Sequence, residues 1–344
     1  MPEDSIEHID FDELNRKAIS QPLVTNIYTA DPSAHVFEGK IYIYPSHDVE
    51  SNIPFDDLGS HFAMEDYHVL SMDTPEGTAT DHGVALHVND VPWADKQMWA
   101  PDATERNGTY YLFFPAKDHE GIFRIGVAKS KLPQGPFIAQ PKPIKGSFSI
   151  DPAVFKDDDD SYYIYFGGIW GGQLQRWRNG SFNAEGEGPL VHIPADNEPA
   201  LCPKIARLTK DLLEFDEMPR DILITDENGD PLLQGDNDRR FFEASWVHKY
   251  NGKYYFSYST GDTHFLCYGI GDNPYGPFKY SGRILNPVVG WTSHHSICAF
   301  EDKWYLFYHD SSLSKGVTHL RSVKVTELIH DENGLIKTID PYND

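Results

Sequence analysis

Basic residues are scarce in this chain. Its 344 residues include 29 Lys and Arg against 53 Asp and Glu, which gives a formal net charge of -24. Nucleic acids and anionic membranes would repel such a chain unless a basic patch were segregated, and no cluster of Lys and Arg is visible. We therefore expect neither as a partner, and we expect the substrate to be neutral.

Cysteine is also rare, with only Cys202, Cys267 and Cys298. The number is odd and no pair has a CxxC spacing, so a disulfide framework and a cysteine-based zinc site are both disfavoured. We interpret the three thiols as small buried hydrophobic groups.

Long hydrophobic runs are absent from the sequence. No stretch approaches the roughly 18 apolar residues that a membrane span needs. The first residues, MPEDSIEHIDFDELNRK, lack the basic and then apolar pattern of a signal peptide. We therefore expect a cytoplasmic protein, and the hydrophobic content of 40% is enough for a large core within one domain.

What the chain does contain is a pattern that occurs five times: an opening residue, a short turn and an aromatic-rich strand. The copies are DPSAHVFEGKIYIY, APDATERNGTYYLF, DPAVFKDDDDSYYIY, EASWVHKYNGKYYF and HHSICAFEDKWYLFY. Aligned by turn and strand, they open with Asp31, Ala100, Asp151, Glu243 and His294. A repeat that keeps its apolar positions while its first residue varies has kept a scaffold and specialised one point on it.

The periodicity of each copy predicts antiparallel strands. Tyr, Phe, Val and Ile recur with a period of two, and turns rich in Asn, Gly and Asp join the first two strands into a hairpin. Third strands are predicted from Tyr67, Phe123, Gln173, Phe265 and His319. The similar segments SKLPQGPF and GDNPYGPF predict turns into an outer fourth strand. Three or four strands repeated five times predict an all-β fold, a single-domain five-bladed β-propeller over residues 25–344 that follows an N-terminal extension over residues 1–24.

The opening residues should meet at one end of the propeller's central channel, because the first strand of each blade lines it. Asp31, Asp151 and Glu243 would then share a pocket. Such carboxyls suit the cleavage of a glycosidic bond, in which one acid protonates the leaving oxygen and a carboxylate activates water or attacks carbon. A third carboxylate would raise the pKa of the acid by like-charge repulsion. The alternative for each Asp-Pro pair is a turn residue that only starts a strand, whereas Glu243, within the apolar run FFEASWV, is harder to explain without a function.

The chain resembles glycoside hydrolase family 43, the five-bladed propeller β-xylosidases and α-L-arabinofuranosidases. The resemblance runs from about Thr25 to Val325 and rests on TADPSAHVF, MWAPDAT, SIDPAVF, FFEASWV and GWTSHHS, which occur in the family's order. It implies hydrolysis with inversion at the anomeric carbon. Asp31 would be the general base, Glu243 the general acid, and Asp151 the modulator of the acid's pKa and orientation.

His294 matches the position at which the family places a channel histidine, often bound to calcium or a similar divalent ion together with water molecules. The resemblance therefore implies a divalent metal, with Ca²⁺ as the first candidate. Physical chemistry alone does not suggest calcium, which prefers oxygen ligands. The alternative is a hydrogen-bonded core histidine.

Further residues are candidates for contact with the substrate. Trp99, in MWAPD, offers a ring for the apolar face of a sugar, or else it fills the core between blades. Arg321 resembles the family's channel arginine, which holds a sugar hydroxyl near the base and the modulator. Trp170, among the glycines of FGGIWGG, is a candidate for a leaving-group subsite at the rim. His47 and Phe62 are additional candidates.

Together these features predict a cytoplasmic, exo-acting β-1,4-xylosidase that releases xylose from short xylo-oligosaccharides. An α-L-arabinofuranosidase, or an enzyme with both activities, is the alternative, because the two sugars present similar hydroxyls to the same carboxyls. A non-catalytic sugar-binding propeller is the alternative from another class, and it predicts carboxyls that are dispersed or paired with Lys and Arg. Some relatives carry an additional C-terminal β-sandwich domain. We expect any part of the pocket wall that this domain supplies in those relatives to come here from residues 173–235 or from the partner subunit of a homo-oligomer.

Overall fold

The five aromatic segments form the central strands of five β-sheets in the computed structural model, which describes residues 9–343. Consecutive residues of these strands are buried because each sheet is covered on both faces by its neighbours, which explains why aromatic side chains occupy adjacent positions. Grouped by sheet, the strands are β1 (Tyr28–Phe37), β2 (Lys40–Asp48), β3 (Asp66–Met72) and β4 (Thr80–His87); β5 (Ala94–Lys96), β6 (Asp102–Arg106), β7 (Thr109–Asp118), β8 (Phe123–Ser130) and β9 (Ile138–Ala139); β10 (Ala153–Lys156), β11 (Tyr162–Phe166), β12 (Lys204–Arg207) and β13 (Arg220–Asp221); β14 (Ile224–Thr225), β15 (Glu243–Tyr250), β16 (Lys253–Ser259), β17 (Leu266–Gly271) and β18 (Phe278–Leu285); and β19 (His295–Phe300), β20 (Lys303–Asp310) and β21 (Ser322–Leu328).

The innermost strands β1, β6, β10, β15 and β19 each contact two others of the set, so the sheets close into a ring. Asp102 on β6 shows how neighbouring blades are joined. Its carboxylate accepts hydrogen bonds from Ser33 Oγ on β1 and from the Val154 N–H on β10, and it lies 2.6 Å from His35 Nε2. The prediction of an all-β, single-domain, five-bladed propeller is confirmed.

Two-residue turns set the register of the inner hairpins. Asn107 and Gly108 have φ of 51° and 70°, and Asn251 and Gly252 have φ of 48° and 74°. Positive φ at both positions is typical of a type I′ turn, whose twist matches that of the flanking strands. The predicted hairpins at these turns are therefore confirmed.

The two similar segments SKLPQGPF and GDNPYGPF connect neighbouring blades as well as starting outer strands. Tyr44, on the central strand of the first blade, donates its hydroxyl to the Pro133 carbonyl at 2.7 Å. Tyr165, at the equivalent place in the third blade, donates to the Pro274 carbonyl at 2.8 Å. The segments lead into β9 of the second blade and β18 of the fourth blade, as predicted. The repeated tyrosine contact explains why these two blades use the same turn.

One predicted strand is wrong. The run from Gln173 was expected to form the third strand of the third blade, but Leu174–Trp177 is a 3-10 helix and the third strand there is β12. Gln173 has φ of 66°, and the Leu174 N–H donates to the Gly168 carbonyl at 2.9 Å. The glycine-rich segment thus folds back before a strand can form. The other four predicted third strands are present as β3, β8, β17 and β21.

The segment before the first blade lies against the last one. Helix α1 (Phe11–Lys17) begins after Asp10, whose Oδ1 accepts two backbone N–H groups of the first turn. The Leu23 N–H donates to the Val323 carbonyl on β21 at 2.9 Å, so this segment covers the edge of the three-stranded fifth blade. Of the predicted extension over residues 1–24, the first eight residues lie outside the described part of the chain. Within residues 9–343, no helix has the length and apolarity of a membrane span.

Candidate active site

One end of the central channel carries a pocket. Ala100, Asp151, Glu243 and His294 lie at, or within two residues of, the starts of β6, β10, β15 and β19, and Asp31 is the fourth residue of β1. Because the inner strands are equivalent in the propeller, these positions gather at the same end. An aromatic wall completes the pocket, formed by Phe62, Trp99, Trp170, Phe242 and Trp291.

Local backbone geometry turns the Asp31 side chain into the channel. Asp31 has φ of 49° although it precedes proline, and a bulge interrupts the pairing of β1 with β2 between Ala30 and Ser33. Such a conformation costs a non-glycine residue on the order of 1–3 kcal/mol and persists only where the surrounding structure enforces it. Asp151, also before proline, has φ of 56°. Two of the candidate carboxyls therefore share the same strained backbone.

Arg321, immediately before β21, holds the Asp31 carboxylate in place. Its Nη1 donates to Asp31 Oδ1 at 2.8 Å, and Ser46 Oγ donates to Oδ2 at 2.7 Å. Nε and Nη2 of Arg321 donate to the two oxygens of Asp48 at 2.8 and 2.7 Å, which fixes the plane of the guanidinium. Thr292 Oγ1 accepts a further Nη1–H at 3.1 Å. Among the described residues, one N–H of Nη2 thus remains for a ligand.

Asp31 is ionised at neutral pH. Burial opposes its charge, but the positive charge of Arg321 contributes in the other direction, and the net effect lowers the pKa of Asp31 to about 2. His309 Nδ1 accepts the Asp31 backbone N–H at 3.0 Å. Burial lowers the pKa of His309 to about 3, so this imidazole is neutral. Asp31 is therefore a carboxylate able to accept a proton.

Asp151 and Glu243 are linked through the residue that follows the glutamate. The Ala244 N–H donates to Asp151 Oδ2 at 2.8 Å, and Ala244 has φ of 64°. The pairing of β15 with β16 shifts register between Glu243 and Trp246. The fourth blade is thus bulged at its opening residue, as the first blade is at Asp31, and both bulges lie where a carboxyl lines the pocket.

The Asp151–Glu243 pair keeps a proton at neutral pH. Burial is the larger cause and the negative charge of Asp31 the next, and together they raise the pKa of Glu243 to about 8. For Asp151, burial is again the larger cause and the negative charge of Glu243 the next, and they raise its pKa well above the usual range. Neighbouring buried carboxyls titrate as a unit, so at least one of the two stays protonated at pH 7. The pocket thus combines a carboxylate with a carboxylic acid, the two states that acid-base cleavage requires.

His294 presents an imidazole nitrogen without a protein partner. Its Nδ1 accepts the His295 N–H at 2.8 Å. Its buried Nε2 has no hydrogen-bond partner among the described residues and lies 3.8 Å from Asp151 Oδ2. Burial lowers the pKa of His294, so the ring is neutral at pH 7. Because Nδ1 accepts a hydrogen bond, the proton of the neutral ring is on Nε2, which fits a donor to a carboxylate or a sugar hydroxyl. To bind a metal through Nε2, the ring would have to give up the His295 contact and move its proton to Nδ1.

Two groups of aromatic rings bound the pocket. Trp99 packs edge-on against Phe62 with ring centres 6.2 Å apart, and its Nε1 donates to the Phe62 carbonyl at 2.8 Å. Trp170 packs against Trp291 at 5.7 Å and against Phe242 at 5.2 Å. All five rings line the pocket, where they suit the apolar face of a sugar.

Loops of the first and third blades meet at the pocket rim. A Cβ added at Gly171 would lie 2.4 Å from the Leu58 carbonyl oxygen. Both glycine residues of the Trp170–Gly172 turn line the pocket. The close approach of the two backbones closes this side of the pocket.

Comparison with known proteins agrees with this architecture. Residues 21–336 match the model of the family described as Glycosyl hydrolases family 43. The chain belongs to glycoside hydrolase family 43. It is 61% identical over 325 residues to the protein from Humicola insolens named xylosidase/arabinosidase 43A, an alignment that covers 93% of this chain and 99% of the relative.

Solved structures of family 43 have the same fold as this glycoside hydrolase. A β-xylosidase/α-arabinofuranosidase from a compost microbial metagenome, solved with xylotriose in a calcium-free form, has a TM-score of 0.92 and 62% identity, with 96% of this chain and 99% of that chain covered. A family 43 enzyme from Xanthomonas citri, solved with xylose, has a TM-score of 0.91 and 56% identity, with 97% of each chain covered. Family 43 enzymes are inverting glycoside hydrolases, and this chain is one of them.

The structure brings all but one of the predicted site residues of this glycoside hydrolase to the pocket. The predicted residues that line it are Asp31, Phe62, Trp99, Asp151, Trp170, Glu243, His294 and Arg321. His47 does not line it, and its Nδ1 lies 2.6 Å from Asp66 Oδ1 on the first blade. The gathered carboxyls disagree with the dispersed arrangement that the sugar-binding alternative allowed. Its other expectation, pairing with Lys or Arg, is met at Asp31 by Arg321, and among the described residues no such ion pair involves Asp151 or Glu243. Among the described residues, none of residues 173–235 lines the pocket, so a wall from that segment is not found, whereas residues of the segment 55–64, between β2 and β3, do line it. A wall from a partner subunit stays a prediction.

Asp48, His61 and Trp291 belong to the site but could not be singled out from the repeats. Asp48 ends β2 with a buried side chain, whereas an Asp at a strand end is ordinarily a turn residue. His61 lies in a loop, and its buried Nε2 has no partner among the described residues. Trp291 belongs to GWTSHHS, so that motif is the signal that could have identified it.

Proposed function

We propose that this enzyme is an exo-acting β-1,4-xylosidase in which Asp31 is the general base and Glu243 the general acid. Asp31 accepts a proton from water as the water oxygen bonds to the anomeric carbon. Glu243 donates its proton to the glycosidic oxygen as the bond between carbon and that oxygen breaks, and the configuration is inverted. Asp151 positions the backbone after Glu243 and shares its proton. The next cycle requires one proton to leave Asp31 and one to return to Glu243.

The observation that carries this proposal is the opposite proton affinity of two carboxyls in one pocket. The pKa of Asp31 is lowered to about 2 and that of Glu243 is raised to about 8. Between these values the base is charged while the acid is neutral. Both groups are therefore ready for the same step over a wide pH range.

The terminal xylose of a short neutral chain is the proposed substrate. The rim contact between Gly171 and Leu58 closes one side of the pocket, which favours a chain end over the middle of a polysaccharide. The net charge of -24 favours a neutral sugar. Xylotriose and xylose in the neighbouring structures support xylose-based ligands. The remaining N–H of Arg321 is the proposed donor to a sugar hydroxyl.

We also propose that His294 holds a divalent ion, with Ca²⁺ as the first candidate. Its Nε2 is buried without a partner among the described residues, and the nearby carboxyls favour positive charge. Oxygen ligands, including water, would complete the coordination that calcium prefers. When bound, such an ion would add fixed positive charge beside the carboxyls.

Thermal unfolding with and without calcium tests the metal proposal. After chelation, added Ca²⁺ should raise the melting temperature of the wild type, because an ion that binds only the folded state stabilises it. The His294→Ala variant should show no such rise. Equal shifts in both proteins, or none in either, would return His294 to a hydrogen-bonded structural role.

Dependence on the leaving group tests the two catalytic roles. Glu243→Gln should lose about 10²–10⁴-fold on xylobiose, whose leaving alcohol needs a proton. It should lose much less on p-nitrophenyl β-D-xyloside, whose phenolate leaves without one. Asp31→Asn should lose activity on both substrates, because both need activated water.

Glu301→Gln, at an exposed turn of the fifth blade, is the control and should retain wild-type rates. If Glu243→Gln were impaired equally on both substrates, the assignment of the acid would be wrong. If the wild type hydrolysed neither substrate, the xylosidase proposal would be wrong. Nuclear magnetic resonance of the first sugar formed should show the α-anomer.

A xylosidase that also cleaves α-L-arabinofuranosides is the second candidate. The name of the Humicola insolens relative, xylosidase/arabinosidase, favours it. The ratio of kcat/KM on the p-nitrophenyl arabinofuranoside and xyloside measures the preference. If one pocket serves both, Asp31→Asn must abolish both activities and each substrate must inhibit cleavage of the other competitively.

A cytoplasmic location and assembly into a homo-oligomer are further proposals. Cell fractionation tests the first, and light scattering of the purified protein tests the second.

A further inference from the structure

A second group of candidate ligands lies on the first blade, outside the pocket. His47 of β2 and Asp66 and His68 of β3 each offer one ligand atom, and the three atoms lie within 4.8 Å of one another. Ile43 pairs with Leu70 in these strands, so continued pairing brings His47 opposite Asp66. His68 lies two residues further on and therefore shares that face of the sheet. None of the three lines the active-site pocket.

A carboxylate contacts each imidazole of this group. His68 Nδ1 lies 2.8 Å from Asp81 Oδ1, which also accepts the Gly83 N–H at 2.8 Å. His47 Nδ1 lies 2.6 Å from Asp66 Oδ1. For His68, whose partner Asp81 is not a candidate ligand, a carboxylate that accepts Nδ1–H leaves the lone pair on Nε2, the usual arrangement behind a metal-binding histidine. At His47, a metal ion would take the place of the proton shared by Nδ1 and Asp66 Oδ1. Neither Nε2 has a protein hydrogen-bond partner among the described residues, and the ring centres are 4.4 Å apart.

We propose that His47, Asp66 and His68 bind a zinc ion. Two imidazole nitrogens and one carboxylate oxygen form a ligand set that zinc accepts, with a fourth position left for water. Tetrahedral zinc with bonds of about 2.0–2.1 Å holds its ligand atoms about 3.3 Å apart. This spacing lies between the 2.6 Å from His47 Nδ1 to Asp66 Oδ1 and the 4.8 Å within which all three ligand atoms fall. Calcium and magnesium take oxygen ligands and are not expected here.

The group is accessible from solvent and set in a firm frame. The side chains of His47, Asp66 and His68 are 17%, 16% and 11% exposed. They stand on the two middle strands of a four-stranded sheet. Asp66 and Asp81 supply two negative charges, which match the charge of a divalent ion. The alternative is that no ion binds here and that the contacts are only two histidine–carboxylate hydrogen bonds. In that case added zinc would not change the melting temperature through this group.

The position of the group indicates a structural role. His47 immediately precedes Asp48, whose carboxylate holds the guanidinium of Arg321. An ion that joins β2 to β3 at this point would brace the end of β2. Zinc should therefore raise the melting temperature through this site without being needed for the reaction.

The test is zinc binding to chelator-treated, full-length protein, measured by equilibrium dialysis and calorimetry with zinc chloride. The wild type should bind one more ion per chain than His47→Gln. Because His294 is intact in both proteins, any zinc that it binds cancels in the comparison. Asp81→Asn, which removes a positioning carboxylate, should weaken binding about 10–100-fold.

His119→Ala is the matched control. It removes an exposed imidazole 3.7 Å from the Asp95 carboxylate on the second blade, and its zinc binding should equal that of the wild type. Cobalt gives an independent readout, because imidazole coordination produces visible absorption bands that His47→Gln should lack. Circular dichroism verifies that the variants are folded, and Asp66→Asn replaces His47→Gln if that variant does not fold. Equal zinc stoichiometry in the wild type and the ligand variant, or equal loss in His119→Ala, would overturn the proposal.

Discussion

Replacement of Glu243 by Gln should stabilise the folded enzyme while it removes the proposed general acid. Burial and the charge of Asp31 raise the pKa of Glu243 from 4.5 to about 8. At about 1.4 kcal/mol per pH unit, the folded pocket favours the neutral carboxyl by about 5 kcal/mol. Between pH 4.5 and 8 the folded state therefore holds a proton that the unfolded chain releases, and the stability of the wild type falls as pH rises through this window. Gln cannot ionise and avoids this loss.

The expected change in melting temperature follows from the size of the chain. With an unfolding entropy of about 2.1 cal/mol/K per residue, 1 kcal/mol corresponds to about 1.4 °C for a chain of this length. Glu243→Gln should melt roughly 5 °C above the wild type at pH 7 and roughly 7 °C above it at pH 9, with a difference of about 1 °C at pH 5. These are upper limits, because Asp151 shares the proton. Scanning calorimetry of both proteins across this range is the assay.

A stability difference that does not grow with pH would refute the reasoning, because it would mean that Glu243 is not a buried neutral acid. Glu327→Gln is the control, since Glu327 is exposed and pairs at the surface with Lys303. It should show no comparable trend. In parallel, kcat/KM of the wild type should fall about tenfold per pH unit above pH 8, as Glu243, the proposed general acid, loses its proton.

Three further perturbations test other parts of the site and the fold. Arg321→Lys should move the acidic limb of the kcat/KM profile to higher pH, because the guanidinium contributes to lowering the pKa of Asp31; an unmoved limb would contradict this. Gly171→Ala should raise KM for xylotriose several-fold with less effect on kcat, because a Cβ would meet the Leu58 carbonyl oxygen at 2.4 Å; unchanged kinetics would show that the rim does not bind substrate. Burial lowers the pKa of His248 well below 6.5, so the unfolded chain gains a proton there as pH falls below 6.5. Up to about 1.4 kcal/mol of stability should be lost per pH unit through this group, and denaturant unfolding of His248→Gln should show a shallower loss.

The propeller and the carboxyls could be predicted from the sequence because both are carried by repetition. A single Asp-Pro pair is an ordinary strand start, whereas Asp31 and Asp151 occupy the same place in their blades as Glu243. The equivalence depends on strand period and turn spacing, which are local properties. Gln173 shows the limit of local pattern, since its alternating neighbours look like a strand but a left-handed residue after two glycines forms a 3-10 turn.

Asp48 could not be predicted because its role depends on a distant partner. Its contact with Arg321 joins residues 273 positions apart in the chain. A buried Asp at the end of a strand has no distinctive local pattern, so the pair becomes visible only when the first and fifth blades are adjacent. The same holds for His309, whose contact with Asp31 spans 278 positions.

The strained backbone of Asp31, the proposed base, depends on closure of the ring of blades. A residue before proline ordinarily adopts extended backbone, yet Asp31 has φ of 49°. Ser46 of its own blade contributes one hydrogen bond, but His309 and Arg321, which hold its backbone and its carboxylate, come from the fifth blade. Loosening of the contact between the first and fifth blades would release this conformation before the blades themselves unfold. Loss of activity should therefore precede loss of β-structure when the enzyme is heated or exposed to denaturant.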